Sequence, residues 1–324
     1  MSKRSGILSF QALRPMYERT SIHNRVIDEV EDMKLRDAYS HCRSVTREYA
    51  KTFYLATRFL PNHKQRSIFA IYALCRHLDN IVDEDEDLSG RDTVAIQDTE
   101  AALLEWEKKL QQTYHGKEAD NLVLIAFSDV LRRHHIPISL PFKLIEGVRI
   151  DLVKNRYETF EELYDYSYKV ASVVGLMICE VFGYKDKSAL KRAVDLGIAM
   201  QLTNILRDIG EDLQRDRIYL PLNELQEFGI TVADIQAKKR SPDFIRFMQF
   251  QIDRARRYYE SSDEGIPLLS ADSQVPVLLA RHNYERILDC IEKNDYHVFS
   301  SRAHLTWFQK ISLLPKAWWR SNKS

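Results

Sequence analysis

Two stretches of the chain set oxygen-bearing side chains at helical spacing. In IYALCRHLDNIVDE, residues 71–84, Tyr72, Arg76, Asp79 and Asp83 fall at i, i+4, i+7 and i+11, so a helix there carries all four on one face. In QLTNILRDIGEDLQRDRIYLP, residues 201–221, Asn204, Asp208 and Asp212 stand four apart, with Gln201 one turn earlier on the same side. Like charges so spaced repel by about 0.2–0.5 kcal/mol per pair. Carboxylate and amide oxygens suit Mg²⁺, which binds a few carboxylates plus substrate phosphates. Arg76 and Arg207, beside the two rows, suit phosphate through the planar guanidinium fork. Opposed across a bundle, the two rows would cage a diphosphate clamped by Mg²⁺. The plain alternative for each is a solvated, charged helix face. In the second row Gly210 counts against it, because glycine inside a helix costs about 1 kcal/mol and needs a reason such as close approach or a bend. Glu84 to Asp87 reads as a solvated helix end rather than a ligand set.

Diphosphate leaves readily once its charge is neutralised, and metal ions with arginines stabilise the charge that develops. If the organic part is allylic, a delocalised carbocation remains. It survives only in a dry, apolar, aromatic-lined pocket. With 16 Tyr and 14 Phe the chain can line one.

Such faces need long helices. Only 10 Gly and 9 Pro in 324 residues favour them. The pattern predicts helices over 37–59, 62–84 after Pro61, 93–114 and 119–134. Ser139 caps a segment reaching Val153. TFEE, from Thr159 to Glu162, reads as a capping box opening an apolar helix to about Phe182. A helix follows from Ser188 to beyond Asp212, then short pieces over 223–228, then helices near 243–261 and 273–293. No alternating strand run and no repeat is visible. One all-α domain is expected.

Lys+Arg and Asp+Glu are equal at 47 each, which excludes a global basic footprint for nucleic acid. Cys42, Cys75, Cys179 and Cys290 lie far apart and read as packed small hydrophobes in a reducing compartment. No stretch reads as a signal peptide or a membrane span, so a cytoplasmic location is expected.

The stretches AKTFYLATRFLP, IYALCRHLDNIVDE, GVRIDLVKNRY, ASVVGLM and above all QLTNILRDIGEDLQRDRIYLP resemble motifs of the squalene/phytoene synthase family. RARRYYESSDEGIPLL and LLARHNYERILDCIEKNDYHVFSSRA resemble it too. The resemblance spans residues 37–305 and is greatest to the phytoene-forming members. It implies an isoprenoid-synthase-like helical bundle with a central cavity. It also implies head-to-head condensation of two geranylgeranyl diphosphates, through a cyclopropyl diphosphate, to phytoene. Mg²⁺, or Mn²⁺, would lie on Asp79, Asp83, Asn204, Asp208 and Asp212. Catalytic roles would fall to Tyr72, Arg76, Arg207, Tyr219 and Tyr284. Substrate would be held by Thr52, Arg76, Gln201, Arg207 and Arg302. No NADPH is expected. Many relatives carry a second acid where this chain has Asn80, which lies about 100° around the helix from Asp79 and need not be a ligand.

Three alternatives stand beside this. A relative using farnesyl diphosphate would make squalene or dehydrosqualene; Thr57, small and one turn after Phe53, favours the longer substrate if that face lines the pocket. A non-catalytic assembly factor would have no reason to keep two self-repelling rows. For a chain elongator or terpene cyclase, NILRDIGED and RIYLP are the wrong motifs. Residues 1–36 read as an extension. Residues 306–324 read as a tail whose Trp307, Trp318 and Trp319 among Lys310, Lys316 and Arg320 suit a membrane interface. The plain alternative is a last helix docked on the bundle.

Overall fold

Scarce breakers give long helices. The computed structural model describes residues 21–83, 93–300, 302 and 303. In its first half the helices are α1 (Ser21–Asp28), α2 (Met33–Tyr49), α3 (Lys51–Thr57), α4 (Asn62–Asp83), α5 (Thr93–Tyr114), α6 (Leu122–Arg133) and α7 (Ser139–Val153). Then come α8 (Phe160–Ser167), a π-helical segment (Tyr168–Ser172), α9 (Val173–Phe182) and α10 (Ser188–Asp212). The last are α11 (Leu222–Glu227), α12 (Val232–Gln236), α13 (Pro242–Asp263) and α14 (Ala271–Lys293). Among the described residues β pairing is limited to two isolated bridges, Arg156 with Ile218 and Tyr184 with Leu269. No described helix is long and apolar enough to cross a membrane.

The spacing of apolar residues decides what each helix buries. Ile71, Leu74, Leu78 and Val82 of α4 are buried with Tyr39 of α2 and Phe127 of α6 in one core. Leu202, Leu206 and Ile209 of α10 are buried with Phe244, Phe247 and Tyr259 of α13 and Leu288 of α14 in a second. Helix α10 packs along α13, α9 and α14, so its polar row is the side left to a site.

Four local readings need correction. The helix expected over 37–59 starts at Met33, capped by Asp32, whose carboxylate accepts from the Leu35 N–H at 2.9 Å. It breaks at Ala50, with φ −127° and ψ 55°. Alanine is the best helix former, so tertiary packing, with Arg43 Nε donating to the Tyr54 hydroxyl across the break, overrides propensity. Ser139 is the first residue of α7 rather than its cap, and no side chain caps that end. Thr159 does cap α8, but the Glu162 carboxylate accepts from the Glu158 N–H at 2.9 Å and does not close the box. The apolar helix to Phe182 is interrupted by the π segment. Gly147 and Gly197 let it approach: a Cβ on Gly197 would lie 2.8 Å from the Ser172 nitrogen.

Residues 1–20 of the N-terminal extension, the acidic stretch Glu84 to Asp87 and the tail 306–324 lie outside the described residues.

Candidate active site

The α4 row starts from Tyr72, whose ring lies 5.9 Å from that of Phe53 on α3. Burial raises its phenol above the ordinary tyrosine value, and the nearby Tyr284 adds to this. One turn on, the Arg76 guanidinium stacks over the Tyr49 ring at 4.7 Å and reaches Asp79 Oδ2 at 3.9 Å. Its Nε is buried without a hydrogen-bond partner among the described residues. Asp79 is half exposed. The side chains of Asp83 and Thr52 lie outside the described set.

On α10 the row is more enclosed. Asn204 Nδ2 donates to Gln201 Oε1 at 3.5 Å, and Asn204 Oδ1 is buried with no partner among the described residues. Arg207 forks onto its neighbour Asp208, with Nε 2.7 Å from Oδ1. Arg302, arriving from beyond α14, meets the same carboxylate at 2.9 Å. Tyr284 of α14 feels the charges of Arg207, Asp208 and Arg302 and acts in turn on Tyr72, and burial raises its phenol. Asp212 is pushed up to about 8, chiefly by burial and next by the charge of Asp208. A partly buried carboxyl in that state and the Asn204 amide oxygen two turns before it would both gain from a divalent cation. Among the described residues no three His, Cys, Asp or Glu side chains converge to hold a metal by themselves.

Tyr219 belongs to a neighbouring cluster that the sequence motifs do not spell out. Its hydroxyl donates to Asp151 Oδ1 at 2.9 Å, and that of Tyr166 donates to Oδ2 at 2.8 Å. The two rings stack at 5.3 Å, and Tyr157 completes a triangle with them, 5.6 Å from Tyr219 and 5.4 Å from Tyr166. Buried Arg217 donates to the Asp151 carbonyl at 3.2 Å. Asp151 and Arg217 both act on Asp212, which joins this cluster to the row. Beside Asp212, Arg217 and Tyr219 is a niche of about 10 Å³, the size that holds one water. It is no chamber for a prenyl chain. Asp151 and Arg217 lie in the stretches GVRIDLVKNRY and QLTNILRDIGEDLQRDRIYLP without a spacing that joins them to the row, and Tyr166 lies in none of the quoted stretches.

The structure thus brings Tyr72, Tyr284, Arg207, Asp208 and Arg302 together, with Arg76 and Asp79 along α4. Gln201, Asn204 and Asp212 flank them along α10. Tyr219 stands apart, against Asp151.

Comparison with known proteins gives a consistent result. Residues 46–309 match the squalene/phytoene synthase family model. The chain is 42% identical over 300 residues to a 15-cis-phytoene synthase of Synechococcus elongatus, covering 89% of this chain and 94% of that protein. It is 42% identical over 294 residues to the chloroplastic phytoene synthase 2 of Zea mays, covering 89% and 71%. Its fold matches that of a dehydrosqualene synthase with a TM-score of 0.80 at 28% identity, over 90% of this chain and 98% of the other. A squalene synthase from Alicyclobacillus acidocaldarius matches with 0.75 at 28%, over 85% and 100%.

Proposed function

Since the chain belongs to the squalene/phytoene synthase family, we propose that it is a prenyltransferase joining two geranylgeranyl diphosphates head to head to give phytoene. The carrying observation is its 42% identity along 94% of a 15-cis-phytoene synthase.

In the first half-reaction the C1–O bond of one substrate breaks and diphosphate leaves with the electron pair. The double bond of the second substrate attacks that C1. Loss of a proton closes a cyclopropane, and the second diphosphate is retained. In the second half-reaction that diphosphate leaves, the cation rearranges and a second proton departs, giving phytoene without a hydride donor. NADPH is therefore not needed.

Arg207 and Arg302 meet at one point beside α10, where they can bind the departing diphosphate. Arg76, with an unused buried Nε, would take the same group from the α4 side. Bound Mg²⁺, or Mn²⁺ as second choice, would neutralise diphosphate charge; Asn204, Asp208, Asp212, Asp79 and Asp83 would hold it. The Tyr72 and Tyr284 rings would stabilise a cation near the point of ionisation. Gln201 fixes the Asn204 amide. Asp151 holds Tyr219 in place through its hydroxyl. Thr52 belongs to the substrate set by its motif. Apolar residues of α3, α10 and α14, Ala56, Met200 and Leu279 among them, pack together nearby and would border the prenyl chains.

Domain limits of 37–305 follow the motifs. Substrate and product are lipids, so a soluble, cytoplasmic protein touching the membrane peripherally through 306–324 suits the reaction. Liposome flotation with and without that tail tests this, and equal flotation removes it.

The reaction itself is tested by incubating the purified chain with Mg²⁺, without NADPH, and either geranylgeranyl or farnesyl diphosphate. Phytoene is expected, with faster turnover of the longer substrate. Faster turnover of farnesyl diphosphate would reassign the chain to squalene or dehydrosqualene formation, the activities named for the solved relatives. No product from either would favour a non-catalytic role.

A further inference from the structure

Gly210 lies inside α10, between Asp208 and Asp212, and its outer side explains why it has no side chain. A Cβ there would stand 2.7 Å from the Val298 carbonyl oxygen and 2.8 Å from the Phe299 carbonyl carbon. Both obstacles are backbone, which cannot swing aside. The strap that crosses at this point, residues 295–300, is pinned along its length. Asp295 and Tyr296 take left-handed φ of 51° and 57°, turning the chain after α14 ends. Arg240 Nε donates to the Asp295 carbonyl at 2.6 Å, and Gln249 Nε2 to the Tyr296 hydroxyl at 3.1 Å. The Phe299 ring packs against Phe244 at 4.9 Å.

Beyond the strap the chain presents Arg302. Its guanidinium lies 2.9 Å from Asp208 and 3.5 Å from Glu211. Its side chain is 49% exposed, and the backbone that delivers it sets where these ion pairs can form. Arg207 differs, being only 15% exposed and held on α10 itself.

We propose that Gly210 is a positioning residue. Its bare backbone seats the strap, and the strap sets Arg302 where one guanidinium serves the Asp208 carboxylate in the free protein and a diphosphate in the complex. This rests on the diphosphate reading of the site.

The test is calorimetric titration of inorganic pyrophosphate, in excess Mg²⁺, into the full chain. Variants are Gly210→Ala, Phe299→Ala, Arg302→Gln and each of the first two combined with Arg302→Gln. Each single change should weaken pyrophosphate binding about tenfold, the order of one charge-assisted contact. Each double should bind no more weakly than Arg302→Gln alone, because both changes remove the same contact. In turnover, KM for the prenyl diphosphate should rise by a similar factor while kcat falls by less. Phe299→Ala loosens the strap from its other side and decides the matter if Gly210→Ala does not fold. Unchanged binding in both strap variants, or losses that add in the doubles, would overturn the proposal. A wild-type chain that binds pyrophosphate yet makes no phytoene refutes only the proposed reaction, and the binding comparison still judges the strap. No binding by the wild type overturns both.

Discussion

Asp208 and Asp212 stand one turn apart on α10 and meet opposite conditions. Asp208 accepts from two arginines. Asp212 is partly buried with Asp208 and Asp151 as acidic neighbours, and its carboxyl is pushed up to about 8. The unfolded chain releases that proton near pH 4. Between those values the folded state holds the extra proton, so this group makes the protein less stable as pH rises. Without divalent cations, Asp212→Asn should therefore exceed the parent in stability at pH 8 by about 1–3 kcal/mol, and match it near pH 4. Urea denaturation at both values checks this, and equal stability at pH 8 would contradict the buried-acid account. The α10 row was readable in the sequence because four-residue spacing is local. The Asp151 cluster was not, since its tyrosines lie 15 and 68 residues away and only the fold joins them. Asp151→Leu should leave two phenols without their acceptor and cost about 2–5 kcal/mol, more than Asp151→Asn, as thermal unfolding would record. Equal losses would mean that the carboxylate's hydrogen bonds contribute little.

Elements were legible where caps and breakers are local. Helix α5 keeps the ends that its sequence suggested, Thr93–Tyr114, and helix α7 keeps its suggested end at Val153. The break at Ala50 and the π segment were not, because each answers to packing between distant helices. Gly147 and Gly197 could have signalled the second, yet a glycine in a helix does not say what approaches it. Gly197→Ala should push against Ser172 backbone and cost about 1–3 kcal/mol by overpacking. A urea midpoint equal to the parent's would mean that the π segment yields freely.

At the scale of the whole molecule, the two cores meet around α10, and the site spans residues from Tyr72 to Arg302. Mg²⁺ with pyrophosphate should therefore stabilise the entire fold, by about 2.7 kcal/mol at a hundred times its Kd. EDTA should reverse this. A midpoint indifferent to both would separate the site from the fold's stability. The most direct test of the central claim is a crystal structure with Mn²⁺ and a thio-diphosphate analogue of geranylgeranyl diphosphate, with the metal located by its anomalous signal. The account predicts metal between the analogue's diphosphate and the oxygens of Asn204, Asp208 and Asp212, with Arg207 and Arg302 on the phosphates. A diphosphate bound away from α10, or metal absent from that row, would contradict it.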